Sequence, residues 1–300
     1  MDDLSDMDVG SFDARYRALL ETISTLRPAL HRYCARMTGS VMDGEDVVQE
    51  ALFEACRKLD KFDESRPLKP WLFRISHNRC IDFLRRKGVR EKAEAAAAMP
   101  EETSPEMPHT LGIGKAVEHL VVSLPPKERA CVLLKDVFDY SLEEIAELVD
   151  STVGGVKAAL NRGRTKLAST PPAKSAPRVN PELAQIVQLY VDRFNRHDWN
   201  GVRELISEDA RLRVADRYAG RLAGSPYFGV YEKMPLPWKM AAGEVDDEPA
   251  VIILQRVGDA WTPLSAIRLV VINQRIVQIS DYCQCPWILE ATTPAVLGTS

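Results

Sequence analysis

SLEEIAELVDSTVGGVKAALNRGRTKL, residues 141–167, decides how the middle of this chain folds. Ser141 and Glu144 stand at the S-x-x-E spacing of a capping box, in which each side chain takes the other residue's backbone amide. A helix therefore starts there. Ile145, Ala146, Leu148 and Val149 recur at helical spacing and form its buried face. Asp150, Ser151 and Thr152 break it, and a second helix follows with Val153, Val156 and Leu160 turned inward. Its other face carries Lys157, Asn161 and Arg164 at i, i+4 and i+7, with Arg162 beside them. An apolar back and a row of long donors suit a helix that enters the major groove and reads base edges and phosphates. Taken alone, the pattern also describes a helical hairpin with a solvated basic face.

A second block lies upstream. WLFRISHNRCIDFLRRKGVR (residues 71–90) offers aromatic surface from Trp71 and Phe73. Donors come from Arg74, His77, Asn78, Arg79, Arg85 and Arg86. Stacking rings interleaved with cations are what holds single-stranded DNA. The spacing of Trp71 to Ile75 equally fits a core position. Before this block, Asp43, Glu45, Asp46, Gln49 and Glu50 place carboxylates and an amide at one helical end, suited to a basic helical partner. Acids at a helix start are also favoured by its dipole alone.

The charge distribution agrees with two DNA contacts. The net charge is −4, but residues 151–180 hold six basic side chains and no acid, and residues 71–92 hold seven basic against two acidic. Basic stripes on an acidic chain fit a DNA binder that also meets a second partner. No apolar run reaches the roughly 18 residues a membrane helix needs. The opening MDDLSDMDVGSFD is acidic, unlike a secretory signal. A cytoplasmic protein with no membrane contact is expected. The six cysteines are scattered, which reads as reduced, buried thiols. Cys283 and Cys285, read as neighbours on one face of a strand, could serve metal or redox chemistry, but ordinary packing is favoured because no further ligand accompanies them. No metal or other cofactor is expected.

Apolar periodicity predicts helices over 12–93, an acidic flexible linker at 94–112, helices again over 113–168, and a Pro-containing linker at 169–181. An α+β domain follows over 182–290, then a tail, 291–300. Leu183, Ile186, Val187, Tyr190, Val191 and Phe194 mark one helix of that domain. Val202, Leu205 and Ile206 mark a second, with Asp198 as its N-cap. Strands of a curved antiparallel sheet come next: residues 210–214, 251–257, 265–273 and 275–280, with Asn273-Gln274 as a tight hairpin turn.

LPPKERACVLLKDVFDYSLEEIAELVDSTVGGVKAALNRGRTKL resembles region 4 of the sigma-70 family, the part that binds the promoter −35 element. DGEDVVQEALFEACRKLDKF (residues 43–62) followed by KPWLFRISHNRCIDFLRRK (residues 69–87) resembles sigma region 2. A short linker in place of region 3 matches the extracytoplasmic-function (ECF) group. The resemblance implies a sigma factor that binds core RNA polymerase and directs −10 and −35 recognition. Asp43, Glu45, Asp46, Gln49 and Glu50 would then dock on the polymerase clamp helices. Trp71, Arg74, His77, Asn78, Arg79, Arg85 and Arg86 would hold the melted −10 strand, and residues 61–66 occupy the position of the loop that captures a flipped −10 base. Lys157, Asn161, Arg162 and Arg164 would contact the −35 groove. The chain departs from the family where Gly155 replaces a capping Thr or Ser, and where Ala158 and Ala159 replace polar donors.

FNRHDWNGVRELISEDARLRV and RIVQISDYCQCP resemble the SnoaL-like fold, a cone of curved sheet packed by helices in the cystatin-like α+β class. Such a cone can enclose a pocket, here with Tyr227, Trp238, Trp261, Tyr282, Asp216 and Asp281 as candidate lining, alongside Tyr190 and Phe228. Some enzymes of this fold pair an acid with a histidine, but His197 is the only histidine after residue 119 and no such pair is identifiable, so no catalytic residue is assigned. In ECF factors with this extension, the added domain is thought to contact regions 2 and 4 and modulate them. Such chains often carry a WLPEP-like linker and a DGGGR-like loop; this one has PPAKSAPRVNPE and YAGRLAG. Two alternatives stay open: a ligand-sensing one-component DNA-binding regulator, and a SnoaL-type isomerase or cyclase fused to DNA-binding helices.

Overall fold

The computed structural model describes residues 5–63, 65–97, 121–169, 180–234, 237–283 and 285–291. The chain divides into two compact units, Met1–Ala176 and Pro177–Ser300.

The first unit is helical. α1 (Ser5–Thr38), α2 (Val41–Lys58) and α3 (Leu68–Ala97) pack against one another. Ser40 starts α2 by accepting the Asp43 amide at 3.1 Å. Gly44 lets α2 approach α1, since a Cβ there would stand 2.5 Å from the Ala35 backbone. Helix runs beyond both limits read from periodicity. The alanine-rich end of α3 sustains helix by propensity where no apolar stripe marks it. Residues 98–112 of the expected linker lie outside the described residues.

α4 (Pro126–Val132) continues into a wider π-type turn, Leu133–Val137. α5 (Leu142–Leu148) and α6 (Val153–Ser169) follow. These helices share one core with α1–α3. Phe73 of α3 meets Phe138 and Tyr140 with ring centroids 5.4 and 5.5 Å apart. Tyr33 of α1 meets Phe138 at 5.9 Å. The buried Arg129 guanidinium donates to the carbonyls of Met37, Val122 and Leu124, joining α4 to the end of α1. Arg66 pairs with Glu147 at 3.2 Å.

The second unit is α+β. Asn180 caps α7 (Pro181–Asn195) by accepting the Leu183 amide at 3.1 Å, and Pro181 sits in its first turn. Asp198 caps α8 (Trp199–Glu204) through the Gly201 amide at 2.9 Å. The strands are β1 (Ile206–Val214), β2 (Tyr218–Arg221), β3 (Trp238–Val245), β4 (Glu248–Val257), β5 (Ala260–Ile272) and β6 (Arg275–Asp281). They form one sheet in the order β2-β1-β6-β5-β4-β3. Asn273 and Gln274 both take positive φ, 51° and 60°, as a two-residue hairpin turn of the type I′ kind requires. Ile186, Val187, Tyr190, Val191 and Phe194 of α7 pack on Met240, Val251, Ile253, Ile267 and Ile279 of the sheet. Asn195 pins the helix end to β3 with two 2.8 Å hydrogen bonds to the Met240 backbone. A curved sheet covered by helices is the arrangement that the SnoaL-like resemblance implies.

Three expectations are corrected here. The sheet is mixed, because β6 returns beside β1 and runs parallel to it. Ile206 opens β1 instead of continuing the second helix, and a further helix, α9 (Tyr227–Glu232), separates β2 from β3. Cys283 and Cys285 lie beyond the end of β6, so they do not share a strand face.

Candidate nucleic-acid interface and a C-terminal cavity

The helix-turn-helix forms as its caps dictate. Ser141 Oγ accepts the Glu144 amide at 3.1 Å, and Glu144 Oε2 accepts the Ser141 amide at 2.7 Å. That backbone bond holds the Glu144 carboxyl below its ordinary range. Ile145, Ala146 and Leu148 are buried, with Val149 half-buried. Asp150 takes φ 51° and turns the chain. Thr152 caps α6, its Oγ1 accepting the Gly155 amide at 3.0 Å. The cap that the family motif places at position 155 is thus supplied by Thr152. A Cβ at Gly155 would stand 2.7 Å from Ser151 Oγ.

α6 buries Val156, Ala159, Leu160 and Gly163 and exposes Lys157, Ala158, Asn161, Arg162 and Arg164. Because Ala159 faces the core, no donor is missing there. Arg162 Nε donates to Glu128 Oε1 at 2.7 Å, and Arg164 forks onto Asp136 at 2.5 and 3.2 Å. Both guanidinium groups therefore lean back toward α4 and its π-type extension, while Lys157 has no ion pair among the described residues.

On α3, Arg74, Asn78, Arg85 and Arg86 are exposed. Trp71 is half-buried against Phe62, at 4.6 Å between centroids. Phe73 and His77 are buried, which corrects the reading of both as DNA-facing groups. They stand four residues apart on the stripe that faces α1. His77 Nδ1 lies 2.8 Å from Tyr33 Oη, and burial pushes the imidazole down to about 4. A neutral, enclosed ring offers nothing to a phosphate.

The α2 acids and the α3 cations face each other. Glu54 takes Arg79, Glu50 takes Arg86 at 3.4 Å, and Asp43 takes Lys87 at 3.6 Å; Arg85 pairs with Asp82 on its own helix at 3.2 Å. Asp43, Asp46, Gln49 and Glu50 remain at the surface, half-buried. Glu45 does not: it is fully buried and ion-paired with Arg27, so it is withdrawn from the polymerase-facing set. Arg27 and Glu54 were not singled out from sequence, and Arg129 stood only as the end of the LPPKER stretch. A charge whose only signal is its burial carries no motif. Between α2 and α3, Ser65 donates to Asp63 through both its amide and its hydroxyl, at 3.0 and 2.7 Å.

In the second unit a cavity of about 410 Å³ opens beside α9. Leu212, Val214, Val230, Met234, Ile253 and Leu264 supply carbon walls. Buried Asp281 accepts the hydroxyls of Tyr227, at 3.0 Å, and Tyr231 on Oδ2, and the Cys283 amide at 3.0 Å on Oδ1. Burial pushes the Asp281 carboxyl up despite these donors. Burial also pushes the Cys283 thiol up to about 11, leaving it protonated at neutral pH. Of the six pocket residues read from sequence, Tyr227 and Asp281 line this cavity. Trp238 packs against Phe194 and Tyr231, Trp261 lies under Lys239, Tyr282 is buried elsewhere, and Asp216 is exposed at the β1–β2 turn. Among the described residues no three metal-binding side chains cluster, and no helix is long and apolar enough to cross a membrane.

A capped helix-turn-helix with outward cations, joined to a second basic helix, defines a DNA-binding transcription factor. Comparison with known proteins places it further. Residues 22–90 match the family model for sigma-70 region 2, and residues 114–167 that for sigma-70 region 4. The ECF RNA polymerase sigma factor SigW of Bacillus subtilis is 31% identical over 50% of this chain and 87% of its own length. SigG of Mycobacterium tuberculosis, also an ECF sigma factor, is 27% identical over 79% of this chain and 73% of its own. The crystal structure of the M. tuberculosis ECF sigma factor SigJ aligns over 91% of this chain and 98% of its own, at 16% identity and a TM-score of 0.36. The chain belongs to the ECF sigma factors of RNA polymerase. It acts in transcription initiation, and the one-component regulator reading is not favoured, because it leaves the region 2 match unexplained.

Proposed function

We propose that residues 12–93 act as region 2, residues 113–168 as region 4, and residues 182–290 as a modulating domain. Asp43, Asp46, Gln49 and Glu50 dock on core polymerase. Trp71, Arg74, Asn78, Arg79, Arg85 and Arg86 hold the melted −10 strand. Lys157 and Asn161 read the −35 groove, with Arg162 and Arg164 on flanking phosphates. The observation that carries this reading is the exposed Lys157–Asn161 edge on a helix whose other face buries Val156, Ala159, Leu160 and Gly163.

Promoter engagement then requires regions 2 and 4 to part. Elements centred at −10 and −35 lie about 25 base pairs apart, roughly 85 Å of duplex at 3.4 Å per step. Their shared core and the Arg66–Glu147 pair hold them in contact. The C-terminal domain works by contact with regions 2 and 4, without catalytic turnover, in the cytoplasm.

Run-off transcription with purified core polymerase tests the assignment. The full chain initiates, Lys157→Ala with Asn161→Ala loses promoter-dependent product, and truncation near residue 170 changes the yield. A chain that neither binds core nor initiates sinks the assignment.

A further inference from the structure

Region 4 meets region 2 through charges that their shared apolar core does not need. Glu144 and Glu147 stand three apart on α5 and are exposed. Glu147 takes Arg66 at 3.2 Å. Lys69, in the first turn of α3, holds its ammonium 5.5 Å from the centre of the Tyr140 ring. The Ser141 amide and hydroxyl hold the Glu144 carboxyl low, and Lys69 lowers it further. Arg66 ends the segment aligned with base capture, and Lys69 stands two residues before Trp71. Carboxylates thus meet the cations beside the single-strand grip, as backbone phosphates would. The Arg66–Glu147 pair is exposed and weak by itself; the shared core keeps it in place. Arg129 is a second tie. Its guanidinium donates to the Met37 carbonyl in the last turn of α1, where carbonyls lack helix partners. It is 6% exposed, its Nε has no acceptor, and among the described residues no carboxylate pairs with it. A buried cation without a counter-ion is costly, and parting the regions returns it to water. The junction is closed at rest yet built to open.

We infer that region 4 masks the single-strand grip of region 2 in the free chain, the α5 carboxylates standing in for DNA phosphate at Arg66 and Lys69 until the regions part. The mask presupposes the assignment of regions 2 and 4 proposed above, and it makes the first unit its own inhibitor.

A lock and a release test it. Gly39 ends α1 at φ 84°, and a Cβ there would stand 3.7 Å from Val122 Cβ, the spacing of a disulfide. Gly39→Cys with Val122→Cys therefore bolts the regions together when oxidised by glutathione disulfide and frees them when reduced. The strain of a cysteine at positive φ is common to both states and cancels. Phe138→Ala removes the ring that region 4 packs on Tyr33 and Phe73, and so loosens the junction. The probe is a fluorescein-labelled DNA single strand of mixed sequence, about 20 nucleotides long, titrated into the full chain without polymerase. Phe138→Ala is expected to bind it about 3- to 10-fold tighter than the parent chain, because apparent affinity scales with the open fraction. In the triple variant, oxidation returns binding to the parent's level and reduction restores the gain. With core polymerase, the oxidised double variant gives at least about tenfold less run-off product than the same chain reduced. The mask is overturned if folded Phe138→Ala binds the strand no tighter than the parent chain, or if oxidation changes neither strand binding nor transcript yield. If the reduced chain fails to initiate while strand binding still follows the lock, the promoter assignment falls and the mask stands.

Discussion

The two candidate DNA helices, α3 and α6, are built differently. On α3 the cations are tied across a helix interface: Arg79 to Glu54, Arg86 to Glu50, Lys87 to Asp43. The acids that would meet polymerase are partly the same acids that hold the DNA-facing cations. On α6 the arginines pair backward, to Glu128 and Asp136, and Lys157 and Asn161 are left pointing outward. On the proposed assignment, region 4 presents Lys157 and Asn161 without an exchange, while in region 2 Arg74 and Asn78 stand exposed but Arg79, Arg86 and Lys87 must exchange ion pairs to join them. The Arg86–Glu50 pair is exposed at both ends and contributes about 0–1 kcal/mol, so its exchange costs little.

The largest effect tests whether the two regions are one body at rest. Phe73→Ala removes a ring packed on Tyr33, Phe138 and Tyr140, and is expected to lower stability by about 3–5 kcal/mol. Urea unfolding followed by region-specific fluorescence should show regions 2 and 4 destabilised together. Loss confined to region 2 would break the shared-core account.

Next comes acid. His77 is held near 4 when folded against 6.5 when free, so the unfolded chain takes up the proton first. Its contribution is complete above about pH 6.5 and falls away toward pH 4, by about 3 kcal/mol in all. His77→Gln should flatten that part of the stability profile relative to the parent chain. An equal slope in both proteins would show that His77 is not enclosed.

The reading edge of α6 comes third. Lys157→Ala and Asn161→Ala should each weaken holoenzyme binding to promoter DNA by about 1–3 kcal/mol if each meets a base or a strong phosphate contact. Only Lys157→Ala should also reduce the salt dependence. Arg162→Ala should cost less than either, because its guanidinium is shared with Glu128. The reverse order would mean that Arg162 leaves Glu128 on the promoter. Smallest of all, a double-mutant cycle on Glu50 and Arg86 should give a coupling of about 0.2–1 kcal/mol. A coupling above 2 kcal/mol would make the α2–α3 pairs structural and sharpen the contrast with α6.

Much of this was legible before any coordinates. The capping box at Ser141 and Glu144, the cap at Asp198 and the hairpin turn at Asn273-Gln274 are local signals, each decided within four residues. Trp71, Phe73 and His77 were harder. Aromatic and imidazole groups serve a core as well as a DNA strand, and only the packing of α1 against α3 separates the two uses. Glu45 sits one residue from Asp46 in an acidic run, yet Arg27, eighteen positions earlier, draws it inside.

By itself the sequence determined the two helical blocks, the α+β character of the last unit and the position of the recognition helix, because caps, turns and apolar periodicity act over short spans; β2, β3 and α9 carried no such signal, and the sigma family was legible through the resemblance of its motifs. The tertiary structure alone decided which charges remain outside, that regions 2 and 4 share a core, and that Tyr227, Tyr231 and Asp281 meet at one cavity. Those outcomes depend on contacts between residues tens of positions apart, and burial, which sets the cost of every polar group, is defined only once those contacts close.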